Sequence, residues 1–139
     1  MGRGYAGGMA TITDKGEPKS IPDRGFPRYG DIYDVSLDPV IGVETGKRRP
    51  GLVVSNDINN KFSRTVTILP ITSQPVRKRY PFEVLVPNGV AGLIADSRIM
   101  ANQVRTVDKY RLVSFKGSLP PEYFHEVETA LKIHLNMKY

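Results

Sequence analysis

The chain contains no cysteine and no tryptophan, only two histidines, and no apolar run long enough to matter to a membrane. Without cysteine there can be no disulfide, no thiolate metal site and no cysteine nucleophile, so a cytoplasmic location is unopposed. Stretches such as Leu52-Val53-Val54 are far too short to span a bilayer or to serve as the apolar core of a signal peptide, and a soluble protein with no membrane contact is expected. His125 and His134 both fall on one C-terminal segment, without the carboxylate and histidine spacing that closes a metal site, and read as solvated or structural. With 139 residues there is room for one domain around one core. Twenty Lys plus Arg against fourteen Asp plus Glu give a net charge of +6, which favours an anionic partner through counterion release and is also common in soluble proteins.

The chain divides near Tyr29. Residues 1–28 hold six Gly and three Pro among mixed charges and scattered apolar residues, too little apolar surface to offset the entropy of ordering. They read as a flexible N-terminal extension to a domain at 29–139; the competing reading docks Ile12, Ile21 and Phe26 on the domain or on a partner. From Tyr29 onward the pattern is short strands broken by turn residues. Tyr33, Val35 and Leu37 alternate with Asp34 and Ser36 as in a half-buried strand that stops at Asp38-Pro39. Gly51–Ser55 is a continuous apolar run suited to a central strand, and Thr65–Leu69 carries the chain back. Asn56–Arg64 between them reads as a polar loop. Phe82–Val86, Arg98–Ala101 and Arg111–Ser114 complete the set. Pro120-Pro121-Glu122 then starts a helix whose one face carries Phe124, Val127, Leu131 and Leu135. The fold class expected is mainly β with a C-terminal helix, a small barrel or sandwich in place of a parallel α/β sheet.

Two motifs carry the chemistry. Glu44-Thr45-Gly46-Lys47-Arg48-Arg49-Pro50 sets cations on the turn before one strand, and Pro70-Ile71-Thr72-Ser73-Gln74 sets a hydroxyl pair just past the end of the next. Arg grips phosphate oxygens with a planar fork of donors, and a hydroxyl can hydrogen-bond a non-bridging oxygen, so the pairing suits a phosphodiester. Taken alone, Lys47-Arg48-Arg49 is as compatible with a solvated turn, Thr72 with a hydroxyl capping backbone, and Glu44 with a carboxylate pairing a neighbouring cation. Asn56, Ser73, Gln74 and Gln103 could read the Watson–Crick edges of unstacked bases. Arg77-Lys78-Arg79-Tyr80 suits phosphate grip and stacking, or simply an exposed hairpin loop. Asp31, Asp34 and Asp38 do not make a two-metal nuclease site, because Asp31 falls on the opposite strand face from Asp34 and no further carboxylates converge.

Five segments, Gly30-Asp31-Ile32-Tyr33, Glu44–Pro50, Pro70–Gln74, Pro81-Phe82-Glu83-Val84 and Gln103-Val104-Arg105-Thr106-Val107-Asp108-Lys109, stand in the order and spacing of the MazF/PemK toxins. From Tyr29 to the last helix the chain resembles that family. The resemblance implies an SH3-like barrel of the PemK/CcdB-like kind, a homodimer, and metal-independent cleavage of single-stranded RNA at a short sequence with no cofactor. It also implies inhibition by a small cognate antitoxin whose disordered segment fills the RNA groove. In family terms Arg49 and Thr72 are the catalytic residues. Glu44, Lys47, Arg48, Asn56, Ser73, Gln74, Arg77, Arg79 and Gln103 are then candidates for RNA binding. A guanidinium is a poor general base, so Arg49 is assigned electrostatic stabilisation and leaving-group assistance, and the base stays open. Two other functions remain. The same fold serves gyrase-poisoning toxins, characteristically through a C-terminal Trp that this chain lacks, and such a barrel could also bind RNA without cutting it.

Overall fold

A computed structural model describes residues 25–37, 48–75 and 78–138. The elements run β1 (Asp31–Ser36), β2 (Arg48–Val53), α1 (Asp57–Phe62), β3 (Thr65–Thr72), β4 (Glu83–Val86), β5 (Ser97–Met100), β6 (Arg105–Asp108), β7 (Leu112–Ser118) and α2 (Phe124–His134). Every ladder is antiparallel. The strand order is β4-β5-β3-β2-β1-β7, with β6 also paired to β3. This is the mainly β architecture with a C-terminal helix that the sequence pattern implies.

Alternation along the strands feeds two apolar clusters on the two sides of the sheet. Ile32, Leu52, Leu69, Ile71, Val84 and Ile99 form one, roofed by Val127 and Ala130 of α2. Tyr33, Val35, Val53, Val66, Ile68, Val107 and Leu112 form the other. Each fully buried aliphatic side chain contributes about 1.5–3 kcal/mol. β1 supplies both clusters, so it is an interior strand buried on both faces, where its alternation suggested a half-buried one. The cause is that an apolar cluster packs on each face, the one beneath α2 covering the Ile32 side and the other covering the Tyr33 side.

The sheet curls without closing: among the described residues no ladder joins its two ends. A 3-10 turn at Lys109–Arg111 links β6 directly to β7. The turn Val90–Gly92 lies against β7 so closely that a Cβ on Gly92, whose φ is +78°, would meet the carbonyl oxygen of Lys116 at 2.2 Å. Only glycine combines that φ with that approach.

Several boundaries differ from expectation. Asn56–Arg64 is not a loop: α1 forms there, with the Asn56 side chain accepting the Asn59 N–H at 2.8 Å as an N-cap. Fully buried Asn60 ties the helix down by donating to the Ser55 carbonyl at 2.8 Å. β2 begins at Arg48, so Arg48 and Arg49 are strand residues and not part of the preceding turn. β3 continues through Pro70 to Thr72, which is therefore the last residue of the strand. Pro70 is tolerated because Val54 N–H bonds to Thr67 O, and the alternation from that pair aims the Pro70 nitrogen away from β2. On the side it faces, β6 has ended at Ile68 and β5 begins only at Ile71. β6 itself was not anticipated as a strand; its four residues alternate too briefly to signal one. Leu135 caps α2 and is 52% exposed, outside the apolar face, because Asn136 with φ +60° ends the helix. Of the expected extension, residues 1–24 lie outside the described residues, while Pro27 is buried and Arg28 N–H donates to Asp31 at 2.8 Å.

Candidate active site

β2 and β3 run antiparallel with Gly51 opposite Pro70. The ladder ends there, and the same register continued two residues further would bring Arg49 across from Thr72, residues 23 positions apart in the chain. Both line a groove of about 340 Å³ together with Arg48, Pro50, Ile71, Ser73 and Gln74. Its remaining walls are Asp34, Leu93, Ile94, Ala95, Ser97 and Lys116. Pro50, Ile71 and Leu93 give it an apolar lining, and among the described residues Arg48, Arg49 and Lys116 share it with one carboxylate, Asp34. An anionic ligand is favoured there by charge.

Thr72 is 6% exposed, and its Oγ1 accepts the Gln74 N–H at 3.2 Å. That bond occupies an acceptor site of the hydroxyl and leaves its O–H free to donate. Arg49 is half-buried at the start of β2, opposite Val35, which fixes its backbone beside the groove that the residue lines. Arg48 is exposed, opposite Ser36. Among the described residues no carboxylate forms an ion pair with either arginine.

Residues 28–135 match the family described as PemK-like, MazF-like toxin of type II toxin-antitoxin system. The chain belongs to this family. It is 41% identical over 108 residues, 78% of this chain and 93% of the relative, to Endoribonuclease EndoA of Bacillus subtilis (strain 168). It is 36% identical over 115 residues, 79% of this chain and 97% of the relative, to Endoribonuclease MazF9 of Mycobacterium tuberculosis. Among solved structures, a MazE-MazF crystal structure from Deinococcus radiodurans matches with a TM-score of 0.68 at 30% identity, covering 81% of this chain and 97% of that one.

In this PemK/MazF-like toxin the groove gathers Arg48, Arg49, Thr72, Ser73 and Gln74 of the residues singled out by sequence. Glu44, Lys47 and Arg77 lie outside the described residues. Asn56 is outside the groove lining, at the far end of β2, with its side chain engaged as the cap of α1. Arg79 pairs with Glu126 of α2 at 3.0 Å, both exposed. Gln103, also outside the lining, approaches Met100 Sδ at 3.7 Å. The groove adds Asp34, Ser97 and Lys116, which the sequence motifs do not contain. Asp31, by contrast, is a structural carboxylate that accepts from Arg28 N–H and Ser118 Oγ. Among the described residues no three His, Asp or Glu side chains gather as metal ligands, and no helix is long and apolar enough to cross a membrane. His125 and His134 are exposed on α2, His134 edge-on to Phe82 at 6.5 Å.

Proposed function

We propose that this protein is a sequence-specific, metal-independent endoribonuclease toxin that cuts single-stranded RNA by attack of the 2′-hydroxyl on its own phosphodiester. The observation that carries the reading is the joining of Arg49 and Thr72 in one cationic groove. Identity above one third to two proteins named endoribonucleases, over nearly their whole length, supports it.

The reaction needs a proton removed from the 2′-hydroxyl, charge stabilised on a pentacoordinate phosphorane, and a proton delivered to the departing 5′-oxygen. Arg49 presents its donor fork to the non-bridging oxygens, stabilises the phosphorane and assists the leaving oxygen. Thr72 donates its free O–H to a non-bridging oxygen, with its lone pair anchored by Gln74 N–H. Holding the ribose near the in-line geometry supplies further rate by orientation. Arg48, Ser73 and Gln74 contact flanking phosphates and bases, joined by Glu44, Lys47, Asn56, Arg77, Arg79 and Gln103 as the chain and a second copy embrace the RNA. The active species is a cytoplasmic homodimer, silenced by a small antitoxin whose disordered segment occupies the groove. The solved MazE-MazF structure supports that pairing. The toxin domain is taken as the segment that matches the family, residues 28–135, and the chain before it as an extension to that domain.

Purified protein incubated with a long mixed-sequence RNA in EDTA tests the reading. Cuts at one short sequence leaving 2′,3′-cyclic phosphate ends are expected; intact RNA, or activity abolished by the chelator, overturns it. Light scattering tests the homodimer, a monomer at micromolar concentration counting against it.

A further inference from the structure

Lys116 belongs to neither sequence motif, yet it forms part of the groove wall. β1 lies between β2 and β7, and Asp34 stands opposite Pro50 on one side and Ser114 on the other. Neighbouring strands are about 4.8 Å apart, so β2 and β7 are separated by about 10 Å at this level. Arg48 and Arg49 therefore approach the groove from one side and Lys116 from the other, with Asp34 between them. The backbone at Lys116 is held in place, its carbonyl packed against Gly92. Its ammonium lies 3.9 Å from Asp34 Oδ1, the loose limit of an ion pair, with side chains 20% and 33% exposed. The other oxygen of Asp34 accepts from Ser114 Oγ at 3.3 Å.

We propose that Lys116 is a second phosphate-binding residue of this groove, taking an RNA phosphate other than the one that is cut, and that Asp34 is the counter-charge which that phosphate displaces. The proposal rests on the endoribonuclease reading above. A partly buried ammonium needs a counter-charge, and Asp34 supplies one from the protein. The contact is too long to be a strong charge-assisted hydrogen bond. A phosphodiester brings a full negative charge and free acceptor oxygens, and so competes well for Lys116. Asp34 meanwhile repels every phosphate entering the groove. The two halves of one ion pair consequently act on RNA with opposite sign, which a purely structural salt bridge does not do.

The test is steady-state cleavage of an oligonucleotide spanning a mapped cut, at several salt concentrations, with melting measured in parallel. Lys116→Gln is expected to raise KM by about 5- to 10-fold with kcat within about twofold, and to reduce the slope of log affinity against log salt by about 0.7, the share of one single-strand phosphate contact. Lys116→Arg restores KM, and Asp34→Asn lowers it several-fold. Unchanged KM in Lys116→Gln and Asp34→Asn with equal losses of melting temperature overturns the proposal in favour of a structural pair, and so does a KM raised alike by both. If wild type fails to cut the RNA, the endoribonuclease reading falls by itself. The same salt slopes, read in equilibrium RNA binding, then still decide the role of Lys116.

Discussion

Arg49→Ala separates a catalytic guanidinium from a merely basic strand end. Arg49 is half-buried and forms no ion pair with a carboxylate among the described residues, so truncation strands no charge among them. Its backbone stays in the ladder opposite Val35, and alanine is compatible with a strand start. The stability change should therefore stay within about 1 kcal/mol, the range of substitutions that break no buried network. Catalysis is a different matter. Losing one preorganised donor to a developing oxyanion costs about 2.7–4 kcal/mol, a factor of about 10²–10³ in rate. Arg49 offers a fork of donors, which places the expected loss toward the larger figure. Lysine keeps the charge and loses the fork, so Arg49→Lys should recover about tenfold of that loss and no more. Single-turnover cleavage with excess enzyme isolates the chemical step from product release. Urea unfolding checks the fold, and filter binding to RNA should change by less than about tenfold. An Arg49→Ala rate within threefold of wild type, at an unchanged urea midpoint, refutes the assignment.

Thr72→Val keeps the shape of a buried β-branched side chain and removes the donor, so cleavage should fall by about 10- to 10²-fold at unaltered RNA affinity; an unchanged single-turnover rate would reduce Thr72 to the cap of Gln74 N–H. Asn60→Leu should destabilise by about 2–4 kcal/mol in urea unfolding, because it strands the Ser55 carbonyl that Asn60 satisfies in the interior; a loss below 0.5 kcal/mol would show that α1 does not depend on this network. Tyr29 is pushed above its ordinary pKa of 10.0 by burial and then by the charge of Glu128, whose carboxylate its hydroxyl reaches at 3.4 Å. A pKa raised on folding contributes stability that is complete below pH 10 and lost as pH climbs through the folded value. Wild type should accordingly lose stability relative to Tyr29→Phe as the pH rises above 10, and a constant difference from neutral pH into that alkaline range would rule out the shift.

The strands with unbroken β-branched or apolar runs were legible because alternation and burial agree there, as at Leu52-Val53 and Val66 to Leu69. The C-terminal helix was legible from its Pro-Pro-Glu start and from Val127. α1 was not, since Asn and Asp favour loops on propensity alone and only the Asn56 cap and the Asn60 network tip the segment to helix. Thr72 looked like a residue beyond its strand because Pro70 normally ends one. Sequence cannot show that the Pro70 nitrogen faces a gap between two partner strands. Arg49 and Thr72 were found by motif. Lys116 was missed because a lone lysine in a strand carries no signal until β1 brings β7 beside β2.

That handover at Pro70 also bears on how the groove exists at all. β3 pairs with β6 along Thr65 to Ile68, then with β5 along Ile71 and Thr72. Its first half thus belongs to the curled part of the sheet, around Tyr33, Val35, Val66 and Val107. Its last two residues belong to the β4-β5 layer packed beneath α2. A strand shared in this way is paired with β2 as far as Pro70 and with β5 at its last two residues, and Thr72 stands at that end. The turn at Val90–Gly92 is pressed on the Lys116 carbonyl, and the residues that follow it, Leu93, Ile94 and Ala95, line the groove. The candidate catalytic pair therefore sits on ladder positions, while the neighbouring Ser73 and Gln74 extend beyond the strand. Reaction geometry requires rigid support and base recognition requires variable loops. Pro70, standing in the gap between the β6 ladder and the β5 ladder, lets a single strand serve both layers and end at the groove.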